Sequence, residues 1–192
     1  MNTSRFFLPA VLSATVLSAA GIMSYSLVAL ADEVTCRNTL GSVTVDNLRL
    51  PNGATCVLSG TRVKGNIKVE SNATLRASKV NVIGNIQAEN AKNVVVNSNS
   101  VIGGNIQIKK SGAASISNTQ IKQDLQFEEN ISQLMATANR IGGNLQAFKN
   151  TGRLTIKSNR IDGNLQCKEN RAGVRGGGNI VKGNKEDQCS RL

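Results

Sequence analysis

Any chemistry in this chain must come from carboxylates, amines, guanidinium groups and thiols, because the sequence contains no His. That removes a His general base, a Ser-His or Cys-His nucleophile pair and a His metal ligand. The acids within its repeated segments are Asp46, Glu70, Glu89, Asp124, Glu128, Glu129, Asp162 and Glu169. Two carboxylates facing across a cleft would serve glycoside hydrolysis, and several converging on one point would hold Ca²⁺. Glu128 and Glu129 are the one dense pair, and neighbours on a strand point to opposite faces. Glu70, Glu89 and Glu128 recur at equivalent positions with Lys109 interrupting them, the pattern of a solvated face. The expectation is no catalytic residue, no metal site and no cofactor.

Positive charge is the stronger signal. The 192 residues include 23 Lys+Arg against 12 Asp+Glu, a net charge of +11. A small basic body attracts polyanions over long range. The candidate contacts are Arg62, Lys64, Lys68 and Lys79 towards one end, with Arg140, Lys157 and Arg160 towards the other. The expected partner is an acidic polysaccharide or an anionic envelope surface. The plainer reading is that the charge keeps the protein soluble. Specific nucleic-acid recognition is not expected, because beyond residue 31 the only aromatics are Phe127 and Phe148. Base stacking and sugar stacking both need more rings than that.

Residues 1–31 stand apart. Arg5 precedes an apolar stretch from Phe6 to Ala31 that ends in Ala29, Leu30 and Ala31, just before Asp32 and Glu33. This is the layout of a secretory signal peptide cleaved after Ala31. A retained membrane anchor is the rival reading, since the stretch is long enough to span a bilayer. Removing it takes away Arg5 and no acid, leaving 22 basic residues against 12 acidic and a net of +10. No transmembrane span is expected after cleavage, and the domain of interest is 32–192.

A repeat organises that domain. Val63, Gly65, Asn66, Ile67 and Val69 return as Val82, Gly84, Asn85, Ile86 and Ala88, and as Ile102, Gly104, Asn105, Ile106 and Ile108. Further copies follow around Gln123 and Asp124, Gly143 and Asn144, and Gly163 and Asn164, with degenerate copies at Asp46–Asn47 and Gly183–Asn184. The spacing from each copy to the next is almost constant, from Asp46 through Gly65 and Gly84 to Gly183. After each Gly-Asn, apolar and polar residues alternate, the period of a strand buried on one face. A second alternating run follows, such as Leu154 to Ile156, and Gly, Asn and Ser punctuate the corners. Gly and Asn suit corners because both tolerate left-handed backbone.

The predicted fold is therefore all-β: a single-stranded parallel β-helix, a solenoid of about eight coils. At roughly 4.8 Å per coil this makes a rod about 38 Å long. The Ile, Leu and Val columns fill it. Asn47, Asn66, Asn85, Asn105, Asp124, Asn144, Asn164 and Asn184 form a structural ladder. Gln87, Gln107, Gln126, Gln146 and Gln166 form an exposed column of amides. A leucine-rich repeat is the competing architecture, but no helical return segment follows each strand.

This layout resembles the right-handed parallel β-helix superfamily of pectate-lyase-like proteins. That resemblance implies stacked coils and asparagine ladders, and, for its enzymes, several acids around Ca²⁺ with an Arg or Lys base on one face. No such group of acids lines up here. The tail, from Gly163 through Cys167 and Gly176–Asn179 to Gly183 and Cys189, resembles the ending of secreted bacterial proteins without an assigned function.

Four Cys behind a signal segment indicate an oxidising compartment. Three pairings are open in principle. Cys56 follows Cys36, and Cys189 follows Cys167, at a spacing close to one coil in each case. Residues one coil apart fall within disulfide reach, so the pairing predicted is Cys36–Cys56 and Cys167–Cys189, one clamp at each end. The functional expectation is a secreted or periplasmic, non-catalytic structural or binding module. The alternative is a polysaccharide-active enzyme or a degenerate relative of one.

Overall fold

The computed structural model describes residues 32–192, so the signal-peptide reading of 1–31 lies outside the described residues. Among those described, there is no helix and every strand pairing is parallel. Three sheets stack along one axis: nine strands from Glu33–Thr35 to Lys185–Asp187, eight from Thr39–Leu40 to Val174–Gly177, and eight from Thr44–Val45 to Ile180–Val181. Each coil contributes one strand to the first, second and third sheet in turn, which is a parallel β-solenoid.

Register follows from the repeat. Ile67 pairs with Ile86, Ile86 with Ile106, Ile106 with Leu125, and so on to Leu165. The inward columns are almost wholly apolar and inaccessible to solvent, with Phe127 the largest side chain among them. Burying each Leu or Ile contributes roughly 1.5–3 kcal/mol. The cysteine pairs are disulfides, Cys36–Cys56 and Cys167–Cys189, at Cα separations of 5.6 and 5.3 Å.

The corners differ from the sequence reading. Left-handed backbone does not sit at the Gly-Asn corner. It sits at Asn72, Asn90, Lys110, Glu129, Lys149 and Glu169 after the first sheet, and at Lys79, Asn99, Asn118, Ala138 and Ser158 after the second. Gly in the Gly-Asn pair is there for room: a Cβ on Gly84 would lie 2.5 Å from Asn66 Oδ1 and 2.6 Å from the Gly65 carbonyl.

The left-handed residues Glu129, Ala138, Lys149, Ser158, Glu169 and Gly178 are each followed by an Asn whose side chain turns inward. Asn130, Asn150 and Asn170 form one buried ladder, and Asn139, Asn159 and Asn179 another. Asn150 Oδ1 accepts from the Asn130 backbone N–H at 2.9 Å, while its Nδ2 donates to the Phe127 carbonyl at 3.0 Å. The amide thus satisfies backbone groups that the corner has taken out of the sheets. The ladder of Asn47, Asn66 and their successors runs on the surface instead. There each Oδ1 accepts from the backbone N–H of the next coil, from Asn47 to Asn66 through to Asn164 and Asn184.

The two kinds of ladder should respond differently to truncation. Asn150→Ala orphans a buried N–H and a buried C=O and is expected to cost at least about 2 kcal/mol. Asn66→Ala lets water replace the amide and is expected to cost less than about 1 kcal/mol. Chemical denaturation of the two variants beside the parent checks this.

Candidate functional site

Two outer faces carry organised polar side chains. On the first sheet, alternation sends every second residue outwards, and one outward column stacks as Arg49, Lys68, Gln87, Gln107, Gln126, Gln146, Gln166 and Glu186. The glutamines form a chain of amides: Gln107 Nε2 donates to Gln126 Oε1 at 3.0 Å, Gln126 to Gln146 at 3.0 Å and Gln146 to Gln166 at 2.9 Å. Gln166 donates to Glu186 at 2.8 Å, so a carboxylate ends the chain. A groove of about 630 Å³ runs along this face between the glutamines and the neighbouring column of Glu70, Glu89, Lys109 and Glu128.

The acids of that groove are largely committed to cations. Glu70 accepts from Arg49 Nε at 2.8 Å and Nη2 at 3.2 Å, with Lys68 Nζ at 3.8 Å. Those Arg49 bonds, reinforced by its charge and that of Lys68, hold the Glu70 carboxyl below the usual Glu range despite some desolvation. Glu128 lies 3.2 Å from Lys109. A carboxylate kept ionised by a guanidinium is poorly suited to donate a proton.

The second face belongs to the third sheet. Its outward column reads Thr44, Arg62, Asn81, Val101, Gln120, Arg140, Arg160 and Ile180. Arg140 and Arg160 are register partners on adjacent strands, about 4.8 Å apart. The next residue but one in each coil forms a corner column containing Lys122, Gly142, Asp162 and Lys182. Lys182 Nζ lies 2.9 Å from Asp162 Oδ1. That contact, with the charges of Arg160 and Arg140, lowers the Asp162 carboxyl below the usual Asp range. Three cations therefore bear on one acid, and that acid is already paired.

The seven basic candidates do not form one site. Arg62 shares the third-sheet column with Arg140 and Arg160, but three strands stand between Arg62 and Arg140. Lys64 pairs with Asp46 at 2.9 Å, and Lys68 lies on the first-sheet face. Lys79 occupies a left-handed corner, and Lys157 ends a second-sheet strand just before the corner that leads to Arg160. Sequence reasoning missed Lys122 and Lys182 as neighbours of the arginine pair, and Arg49 and Glu186 as ends of the glutamine column. Counting whole repeats from Asp162, and from Gln87 or Gln166, would have found all four. The chain matches no family model, no curated protein and no solved structure.

With its pKa depressed in the fold, Glu70 contributes stability that is present above the ordinary Glu value, about 4.3, and lost as the pH falls through the lower folded value. Glu70→Gln is expected to flatten the acid limb of a stability-against-pH curve. An NMR titration of the parent should place the Glu70 carboxyl below the ordinary Glu value.

Proposed function

We propose that the protein is an exported, non-catalytic β-solenoid that binds an acidic polysaccharide or a similar anionic polymer of an envelope or matrix. The observation that carries this reading is the Arg140–Arg160 stack, with Lys122 and Lys182 on the adjoining corner and Asp162 already paired. Two guanidinium groups held on neighbouring strands repel each other, and a bound anion relieves that repulsion through bidentate hydrogen bonds. Successive coils along the rod offer successive contacts to an extended chain.

Export is supported by the two disulfides, which suit an oxidising compartment, and by the signal-like composition of residues 1–31. Among the described residues no helix is long and apolar enough to cross a membrane. The non-catalytic reading is supported by the groove acids, since Glu70 and Glu128 face cations and no group of three metal-ligating side chains occurs among the described residues. In this reading, the likeness to pectate-lyase-like proteins extends to the coil and not to the chemistry.

The test is binding to immobilised acidic and neutral glycans at two salt concentrations. Affinity for the acidic polymers should fall as salt rises. Each Arg near an anionic surface contributes about 1 kcal/mol, so Arg140→Gln with Arg160→Gln should weaken binding about thirty-fold. Lys79→Gln, on another corner near the opposite end, should leave it nearly unchanged. Salt-insensitive binding, or equal losses from both variants, would count against the arginine face.

A further inference from the structure

Charge on the first-sheet face changes sign in an ordered way along the rod. Beside the glutamines, one outward column reads Glu70, Glu89, Lys109, Glu128, Phe148 and Lys168. The adjoining corner reads Asn90, Lys110, Glu129, Lys149 and Glu169, in register through the backbone bonds of its first four members. Lys109 and Lys110 therefore make one coil doubly positive, and Glu128 and Glu129 make the next doubly negative. Moving outwards from that pair of coils, the coil of Glu89 is answered by that of Lys149, and Glu70 by Lys168. Arg49 and Glu186, near the two ends of the glutamine column, are opposite in sign as well. The face is antisymmetric in charge about a line midway between the strands Ile106–Lys109 and Leu125–Glu128. Only Lys68 and Glu169 fall opposite uncharged residues, Gln166 and Ser71.

We infer that this face is a docking surface for a second copy of the chain, related by a twofold axis that runs along the strand direction at that line. Such an axis keeps each column on itself and reverses the order of the coils, as an isologous contact between antiparallel rods requires. Lys109 and Lys110 of each copy then meet Glu128 and Glu129 of the other. Lys109 and Glu128, 3.2 Å apart within one chain, become one side of a square of alternating charges. A twofold axis along the rod would instead set lysines on lysines and glutamates on glutamates, which is costly. The glutamine column meets itself. Gln126 and Gln146 each use one amide hydrogen and one oxygen lone pair within the ladder, and keep the second of each for the partner. Phe148, half-buried and the only outward aromatic ring among the described residues, is set opposite Glu89 and over the groove of the other copy.

The chain's own amino-terminal stretch is a poor occupant for this face. Phe6 to Ala31 carries no charge to pair with these residues, and covering them with apolar chain would cost their hydration. Asp32 stands four coils from Lys109, roughly 19 Å. A chain beginning at Asp32 would hold its α-ammonium farther from the central charges than the Debye length of about 10 Å at ~0.1 M salt. The third-sheet face with Arg140 and Arg160 takes no part in the contact.

Sedimentation velocity and native mass spectrometry of the purified protein at ~0.1 M salt test this. The expected result is a dimer that dissociates on dilution and as salt is raised to ~1 M. Glu128→Lys with Glu129→Lys makes both central coils positive and should give monomer. Lys109→Glu with Lys110→Glu makes both negative and should do the same. Lys and Glu already alternate at the left-handed position of this corner, so neither exchange asks the backbone for anything new. Mixed together, the two monomeric variants should form a one-to-one heterodimer, which misfolded chains would not. A parent that is monomeric at every concentration, a larger assembly, a dimer that survives either double exchange, or variants that fail to pair on mixing would overturn the inference.

Discussion

The constraint on which everything else rests is the lateral register of the coils. Parallel strands exchange evenly spaced hydrogen bonds, and one residue of slip would turn every side chain to the wrong face. A chain that winds upon itself must therefore return to the same phase after each coil, and the corners absorb any residue left over. Between Val82 and Ile102 the extra residue lies at Ser98–Asn99, where two successive residues are left-handed instead of one. Between Ile121 and Ile141 it lies after Asn130, and Ile131 is pushed outwards to 69% exposure. The apolar exposure of Ile131 is thus a consequence of counting.

Stacking like on like favours some residues and penalises others. Apolar columns gain, because each Ile sits on another. Amide columns gain too, because an amide is both donor and acceptor and can pass the bond along: the surface ladder passes it one way and the buried ladders the other. Charge columns lose, and most are broken up. Lys109 is set beside Glu128, Arg49 beside Glu70, and Glu186 ends the glutamine chain. Arg49 stacks on Lys68, but Glu70 lies within reach of both; beside the Arg140–Arg160 stack the nearby acid, Asp162, is already paired with Lys182, which is why that face is read as a binding surface.

The repeat made the core legible before any coordinates, because two periods coincide: alternation along each strand and recurrence once per coil. Ile67, Ile86, Ile106 and Leu145 could be placed inside, and the cysteines could be matched to coils, on spacing alone. Which Asn columns turn inward was not legible. The backbone before each buried Asn is left-handed at Glu129, Lys149, Ala138 and Ser158, residue types that carry little left-handed signature. Nor could seven basic residues be sorted onto faces. A face is fixed by the number of residues in each corner, and Lys64 and Lys68 lie only four apart yet belong to a corner and to the first-sheet face.

The rod is also graded along its length. The columns that hold buried Asn in the later coils hold Ala73, Ala91 and Ser111, or Thr61, Val80, Ser100 and Thr119, in the earlier ones. A hydroxyl such as Ser111 can accept from the Ala91 N–H and donate to the Lys109 carbonyl. An Asn does both and also bonds the next Asn of its own column. The later coils are accordingly cross-linked more densely, and Arg140 and Arg160 both stand on them. The guanidinium groups can splay apart by side-chain rotation, but the points from which they reach out separate only if the backbone beneath them yields. Asn139 and Asn159, each immediately before one of those arginines, tie the two strands together at that point. The buried ladder therefore fixes the spacing of the two backbone positions that carry the arginines.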